Sequence, residues 1–221
     1  MIDAQVKATN IVWHHAHVTR SQRQALLVQR GGTVWLTGLP SSGKSTTAYA
    51  LEQELFENGF LAYVLDGDNV RHGLNKDLGF SAKERAENIR RVAEVAKLFS
   101  DAGIVTITSF ISPYRVERDF ARQIHREAGH HFAEIYIDTP LQICETRDPK
   151  GLFAKARRGE LKGFTGIDDP YEPPIAPEFT CRTADYPPRV IASRIMQFLM
   201  ETGFLQVSPN SRSDGRKLQF D

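Results

Sequence analysis

The run Gly38-Leu39-Pro40-Ser41-Ser42-Gly43-Lys44-Ser45 has the spacing G-x-x-x-x-G-K-[ST], and its flanks constrain what the chain can fold into. The apolar stretch 33–37 before it reads as a strand, and the stretch 46–56 after it has helical spacing. A strand, a glycine-rich turn and a helix N-terminus together make a phosphate cradle. Glycine lets the backbone approach phosphate oxygens, and the N–H groups from Gly38 to Thr46, of which Pro40 has none, favour negative charge together with the helix dipole. Lys44 is placed to span β- and γ-phosphates, and Ser45 to ligate Mg²⁺. A glycine-rich turn carrying a lysine by chance would not need both flanks to be correct. The expectation is a chain that binds a nucleoside triphosphate with Mg²⁺.

The 221 residues fit one α/β domain, taking ~150 residues per domain as a guide. A net charge of +1 gives no global field to draw nucleic acid or an anionic membrane, so anion recognition has to be local. No apolar run approaches the ~20 residues that span a bilayer, and the first residues lack the order of a secretory signal. Cys144 and Cys181 make neither a metal spacing nor a disulfide framework. A cytoplasmic, reducing setting is expected, with a single Cys144–Cys181 bridge left open.

Beyond the loop, β-rich runs alternate with helical ones. Residues 60–65 read as a second strand after Asn58-Gly59 closes a helix. Ser81-Ala82-Lys83-Glu84 is a capping box, so a helix starts near Ala82 and ends at Gly103. Residues 104–108 and 132–137 read as further strands, with a helix over about 114–128 between them and a last helix over about 188–201. This alternation predicts right-handed βαβ units and a parallel sheet. Residues 148–177 break the rhythm with Lys150, Lys155, Arg157, Arg158 and Lys162 followed by glycines and prolines. A stretch of that length without regular structure, beside a phosphate cradle, reads as a mobile basic lid, although alone it would read as a solvated loop. Residues 1–30 are expected to form an extension packed on a 31–205 core, and 206–221 a flexible tail. His14, His15 and His17 read as a surface patch rather than a metal site.

Asp66-Gly67-Asp68-Asn69-Val70-Arg71 lies at the end of the second strand. Ligands of open α/β sheets bind beyond the carboxyl ends of the strands, so Asp66 and Asp68 are candidates for base or metal-water duty. The same spacing also suits a turn whose carboxylates cap the next helix.

The run from Asp66 through His72-Gly73-Leu74-Asn75 resembles the substrate-side signature of the adenylylsulfate (APS) kinases. So do Leu78-Gly79-Phe80-Ser81, Arg85-Ala86-Glu87-Asn88, Ser109-Phe110-Ile111-Ser112-Pro113, Arg147-Asp148-Pro149-Lys150-Gly151-Leu152 and Phe164-Thr165-Gly166-Ile167-Asp168. The resemblance covers about residues 10–205. It implies a three-layer α/β/α P-loop fold with a mainly five-stranded parallel sheet and a basic lid, in a homodimer. The implied reaction moves the ATP γ-phosphate to the 3′-hydroxyl of adenosine 5′-phosphosulfate, giving ADP and PAPS. The resemblance makes Asp66 the acid at the acceptor hydroxyl, with Asp68 as second choice, and places Arg147 on the nucleotide side. Arg71, Arg85 and Asn88 would hold the phosphosulfate and ribose, together with Ile111, Ser112 and Leu152. Arg85 and Asn88 share a helix face, and arginine's planar fork suits oxyanions; pairing of Arg85 with Glu84 or Glu87 is the plainer alternative. Phe80 and Phe164 resemble an aromatic pair around the APS adenine, although Phe80 by itself would also suit a core. Lys150 resembles a lysine near the transferring phosphate. Ser112 matches a serine described in the family as a phosphoserine intermediate, but Ser112-Pro113 would also make a good N-cap and N1 pair. Pro40 departs from the family's usual loop and stiffens it. Another small-molecule P-loop kinase, a nucleotide switch and an inactive regulatory subunit are the rival readings.

Overall fold

A computed structural model describes residues 8–206. Five parallel strands form the sheet in the order β2-β3-β1-β4-β5: β1 Gly32–Thr37, β2 Ala62–Asp66, β3 Val105–Ser109, β4 His131–Ile137 and β5 Phe179–Cys181. β1 lies at the centre, pairing in parallel with β3 and β4, and all six of its residues are buried. A strand covered on both faces must be apolar throughout or bond its polar side chains, which is why Thr33 and Thr37 both find side-chain partners.

The helices α1 Arg20–Leu27, α2 Lys44–Glu57, α3 Gly67–Arg71, α4 Ala82–Ala102, α5 Arg115–Glu127, α6 Leu141–Arg147, α7 Leu152–Arg157 and α8 Pro188–Glu201 cover the sheet. One core joins Val34, Leu36 and Ile135 to Leu51 and Leu55 of α2 and Ile191 and Ile195 of α8. The other face packs Trp35 and Leu65 on Ile89, Val92 and Ala96 of α4 and Ala121 of α5. The capping box of Ser81 and Glu84 starts α4, and Gly103, at φ 94°, ends it.

Three expectations need correction. Residues 148–177 are not structureless: they hold α7 and a bridge between Thr165 and Asp169. Asp148 accepts from the N–H groups of Leu152 and Ala154, which supplies the start signal that Gly151 cannot. Ser112 is not a helix cap, because α5 begins at Arg115 behind Tyr114. Its backbone is left-handed at φ 38°, and its hydroxyl accepts from Trp35 Nε1 at 3.2 Å. The start of α5 is capped from a distance, since the Arg115 N–H donates to Glu172 Oε2 at 2.8 Å. Phe80 does not join a core, being 74% exposed.

Both cysteines are free. At the N-terminal end, α1 is tied to α4 by the Arg23–Asp101 ion pair, whereas Trp13 and the three histidines are exposed. The expected tail from 207 onward lies outside the described residues. No helix among those described is long and apolar enough to cross a membrane.

Candidate active site

The turn between β1 and α2 takes the shape its glycines allow. Gly43 sits at φ 99°, and a Cβ there would lie 3.0 Å from the Thr183 methyl; a Cβ on Gly38 would lie 2.7 Å from the Ile137 carbonyl oxygen. Ser41 is also left-handed, at φ 58°. Lys44 turns its ammonium onto the loop, donating to the carbonyls of Gly38 at 2.9 Å and Leu39 at 2.6 Å. Burial pushes this amine down to about 8, opposed in part by the charges of Cys144, Asp66 and Asp68.

The loop is held from behind by Arg147 and by two threonines, Thr139 and Thr183, that the sequence reading missed. The Ser42 carbonyl accepts from Thr139 Oγ1 at 3.0 Å, Thr183 Oγ1 at 2.5 Å and Arg147 at 3.3 Å. Arg147 also donates to Thr183 Oγ1 and to the Thr183 carbonyl. Thr139 follows β4 and Thr183 follows β5, so the carboxyl ends of two strands fix the loop. Thr183→Val keeps the packing against Gly43 but removes that donor. Its KM for ATP is expected to rise about 10-fold with kcat little changed, in line with ~1.4 kcal/mol for losing the bond to Ser42 and the one accepted from Arg147; steady-state ATP titration checks it.

Asp66 ends β2 and is 6% exposed. One carboxylate oxygen accepts from the Asp68 N–H at 3.0 Å, which caps α3, and the other accepts from Ser45 Oγ at 2.7 Å. The capping reading of this acid holds, and the same side chain faces the phosphate loop. Ser45 Oγ and the Asp66 carboxylate present adjoining oxygen donors, the ligand type Mg²⁺ takes alongside substrate phosphates and water. Asp68 points outward and forms an ion pair with Lys150, just ahead of α7.

Arg71 donates to the carbonyls of Leu78 and Gly79 and lies 4.4 Å above the Phe80 ring. That cation–π contact holds the exposed ring beside α3. Arg85 pairs neither with Glu84, which serves the capping box, nor with Glu87, which holds Arg90 and Arg91. Its partners are Asp169 at 3.1 Å and Thr165 Oγ1 at 3.2 Å, some 80 residues along the chain. Asn88 is buried one turn on and accepts from Asn75 Nδ2 at 2.9 Å. Ile111 gives its carbonyl to Thr37 Oγ1 at 2.8 Å. Phe164 packs edge-on against Phe153 at 5.0 Å, in a small cluster with Cys144, Leu39, Leu141 and Leu152. Its burial follows from this packing alone.

The segment after Phe164 is firmly attached. Tyr171 Oη meets Thr37 Oγ1 at 2.9 Å, Tyr114 donates to Asp169 at 2.8 Å, and buried Arg118 donates to the carbonyls of Ser112 and Glu172.

Residues 30–182 match the family model for adenylylsulphate kinase. The chain belongs to the adenylylsulfate kinase family. The adenylyl-sulfate kinase of Saccharomyces cerevisiae is 58% identical over 193 residues, 87% of this chain and 95% of that one. That of Clostridium acetobutylicum is 53% identical over 195 residues, 88% and 96% of the two chains. Among solved structures, the Mycobacterium tuberculosis APS kinase in complex with AMPPNP and APS aligns with a TM-score of 0.75 at 51% identity, covering 77% of this chain and 98% of that one.

Proposed function

We infer that this member of the family is an adenylylsulfate kinase, transferring the γ-phosphate of ATP to the 3′-hydroxyl of adenosine 5′-phosphosulfate. Kinship of this closeness over nearly the whole of the relatives' length supports the reaction. The structural observation that carries it is the 2.7 Å contact between Ser45 and Asp66, which sets a buried carboxylate against the phosphate loop.

The reaction needs alignment and charge more than covalent help from the protein. Gly38 to Thr46 cradle the triphosphate, and Lys44 leaves its loop carbonyls for the β- and γ-phosphates. Ser45 would hold Mg²⁺, which would draw charge from the phosphate oxygens and leave the Asp66 carboxylate to the acceptor. Asp66 orients the acceptor 3′-hydroxyl and takes its proton as that oxygen bonds to the γ-phosphorus. The bond from phosphorus to the β-phosphate bridging oxygen breaks, and ADP leaves. Lys150 and Asp68 form a pair at the mouth of the site, Arg71 and Arg85 meet the phosphosulfate, and Phe80 offers a face to the adenine. Arg147 and Thr183 support the nucleotide side. Residues 148–177 serve as the lid, with their distal half docked through Asp169 and Tyr171. A homodimer in the cytoplasm is the proposed setting; light scattering of the purified chain tests the dimer.

Release of ADP with Mg·ATP, compared for APS, gluconate, AMP and no acceptor, tests the reaction. Turnover confined to APS and yielding PAPS is the expected result. Turnover with gluconate or AMP would transfer the loop to another kinase reading, and turnover without acceptor to the nucleotide switch. Direct transfer is the proposed route, supported by the burial of the Ser112 hydroxyl and its contact with Trp35. Ser112→Ala is expected to keep kcat within about threefold, and γ-labelled ATP is expected to leave no phosphate on the protein; either a large loss with label on Ser112 or stable labelling would overturn this.

A further inference from the structure

Beside Arg85 lies a buried acid to which the proposed chemistry gives no task. Glu117 stands in the first turn of α5, is 2% exposed, and its Oε2 has no hydrogen-bond partner. Arg85 carries the matching defect: its terminal nitrogens reach Asp169 and Thr165, but its buried Nε–H has no acceptor. An unpaired buried acceptor and an unpaired buried donor are each costly, and here they occur in one cluster. Tyr114, one helical turn before Glu117, donates to the same Asp169 that Arg85 engages.

We propose that Glu117 is a positioning residue for Arg85, bonding the Nε edge of the guanidinium when the terminal nitrogens turn from Asp169 and Thr165 to the phosphosulfate of the acceptor. A guanidinium has five N–H groups in one plane. A carboxylate fixed on the Nε edge sets that plane, and two terminal nitrogens remain for an oxyanion. Asp169 alone cannot do this, because it competes for the nitrogens the substrate needs. This inference rests on the reading that Arg85 binds the acceptor.

The charge on Glu117 is then the quantity to vary. It is faced by Arg85 from α4, by Arg118 on its own helix, and by Asp169 and Glu172 from the docked segment. Burial, the largest influence, raises its carboxyl to about 7, and the two acids add to this against the two arginines. Wild-type KM for APS is therefore expected to rise about fivefold as pH falls from 8.5 to 6, while KM for ATP does not follow. Glu117→Gln, neutral at every pH, should show the higher KM for APS throughout, with no step and with kcat within about twofold. Glu117→Asp keeps the charge but shortens the reach, so it should keep the step at a raised KM. The Gln variant should melt no lower than wild type at pH 8, since an amide is easier to bury than a carboxylate. A wild-type KM and pH step in Glu117→Gln would overturn the inference; if that variant fails to fold, loss of the step in Glu117→Asp would overturn it. Arg85→Ala separates the underlying reading: an unchanged KM for APS there removes Arg85 from the acceptor site whatever Glu117 does.

Discussion

Asp66→Asn is expected to lower kcat by about 10³-fold while leaving the Kd for ATP within a few-fold. The substitution is mild in shape. An amide oxygen can still accept from the Asp68 N–H, and the amide nitrogen can sit where the other oxygen now meets Ser45. The cap of α3 and the seat of the loop are therefore kept. What is lost is the anionic oxygen proposed to take the acceptor's proton, a contribution of ~10²–10⁴ in rate. A loss of 10³ corresponds to about 4 kcal/mol of transition-state stabilisation. Steady-state turnover with APS and calorimetric titration with ATP check the two halves. Near-normal turnover would remove Asp66 as the base and leave Asp68, or positioning alone, to account for the rate. A large loss of ATP affinity would instead assign the carboxylate to the nucleotide.

Much of this arrangement could be read in the chain beforehand, where signals are local. The phosphate loop, the capping box at Ser81 and the Pro188 start of α8 each depend on residues within a turn or two of one another. Where a feature depends on distant partners, the sequence was silent or misleading. Ser112-Pro113 has the form of a helix start, but Glu172 supplies the cap two residues further on. Arg85 has acids beside it in sequence, yet its partner is Asp169, because the nearer acids are already engaged. β5 has only three residues and depends on β4 for its strand form, so periodicity had too little length to show it. Thr139 and Thr183 resemble any threonine until two strand ends are brought to one carbonyl.

Lys44→Met is expected to lower turnover by at least 10³-fold and at the same time to make the fold more stable at pH 7. The first effect follows from removing the loop's cation, which is proposed to follow the transferring phosphate. The second follows from how the folded protein holds that charge. Burial brings the Lys44 amine down to about 8 from an ordinary 10.5, so the folded state binds this proton less tightly than the unfolded chain does. At pH 7 both states are protonated, and the folded one bears the full penalty, on the order of 3 kcal/mol at 1.36 kcal/mol per pKa unit. Freed carbonyls of Gly38 and Leu39 offset part of the gain, which leaves about 1–2 kcal/mol. Between pH 8 and 10.5 the folded protein sheds the proton first, and the penalty fades. The difference in melting temperature between variant and wild type should thus be largest near pH 7 and shrink towards pH 10.5. A variant less stable than wild type at pH 7 would mean that the hydrogen bonds of the ammonium outweigh its burial. The phosphate loop would then be held in shape by Lys44 itself, and not chiefly by Thr139, Thr183 and Arg147 on the Ser42 carbonyl.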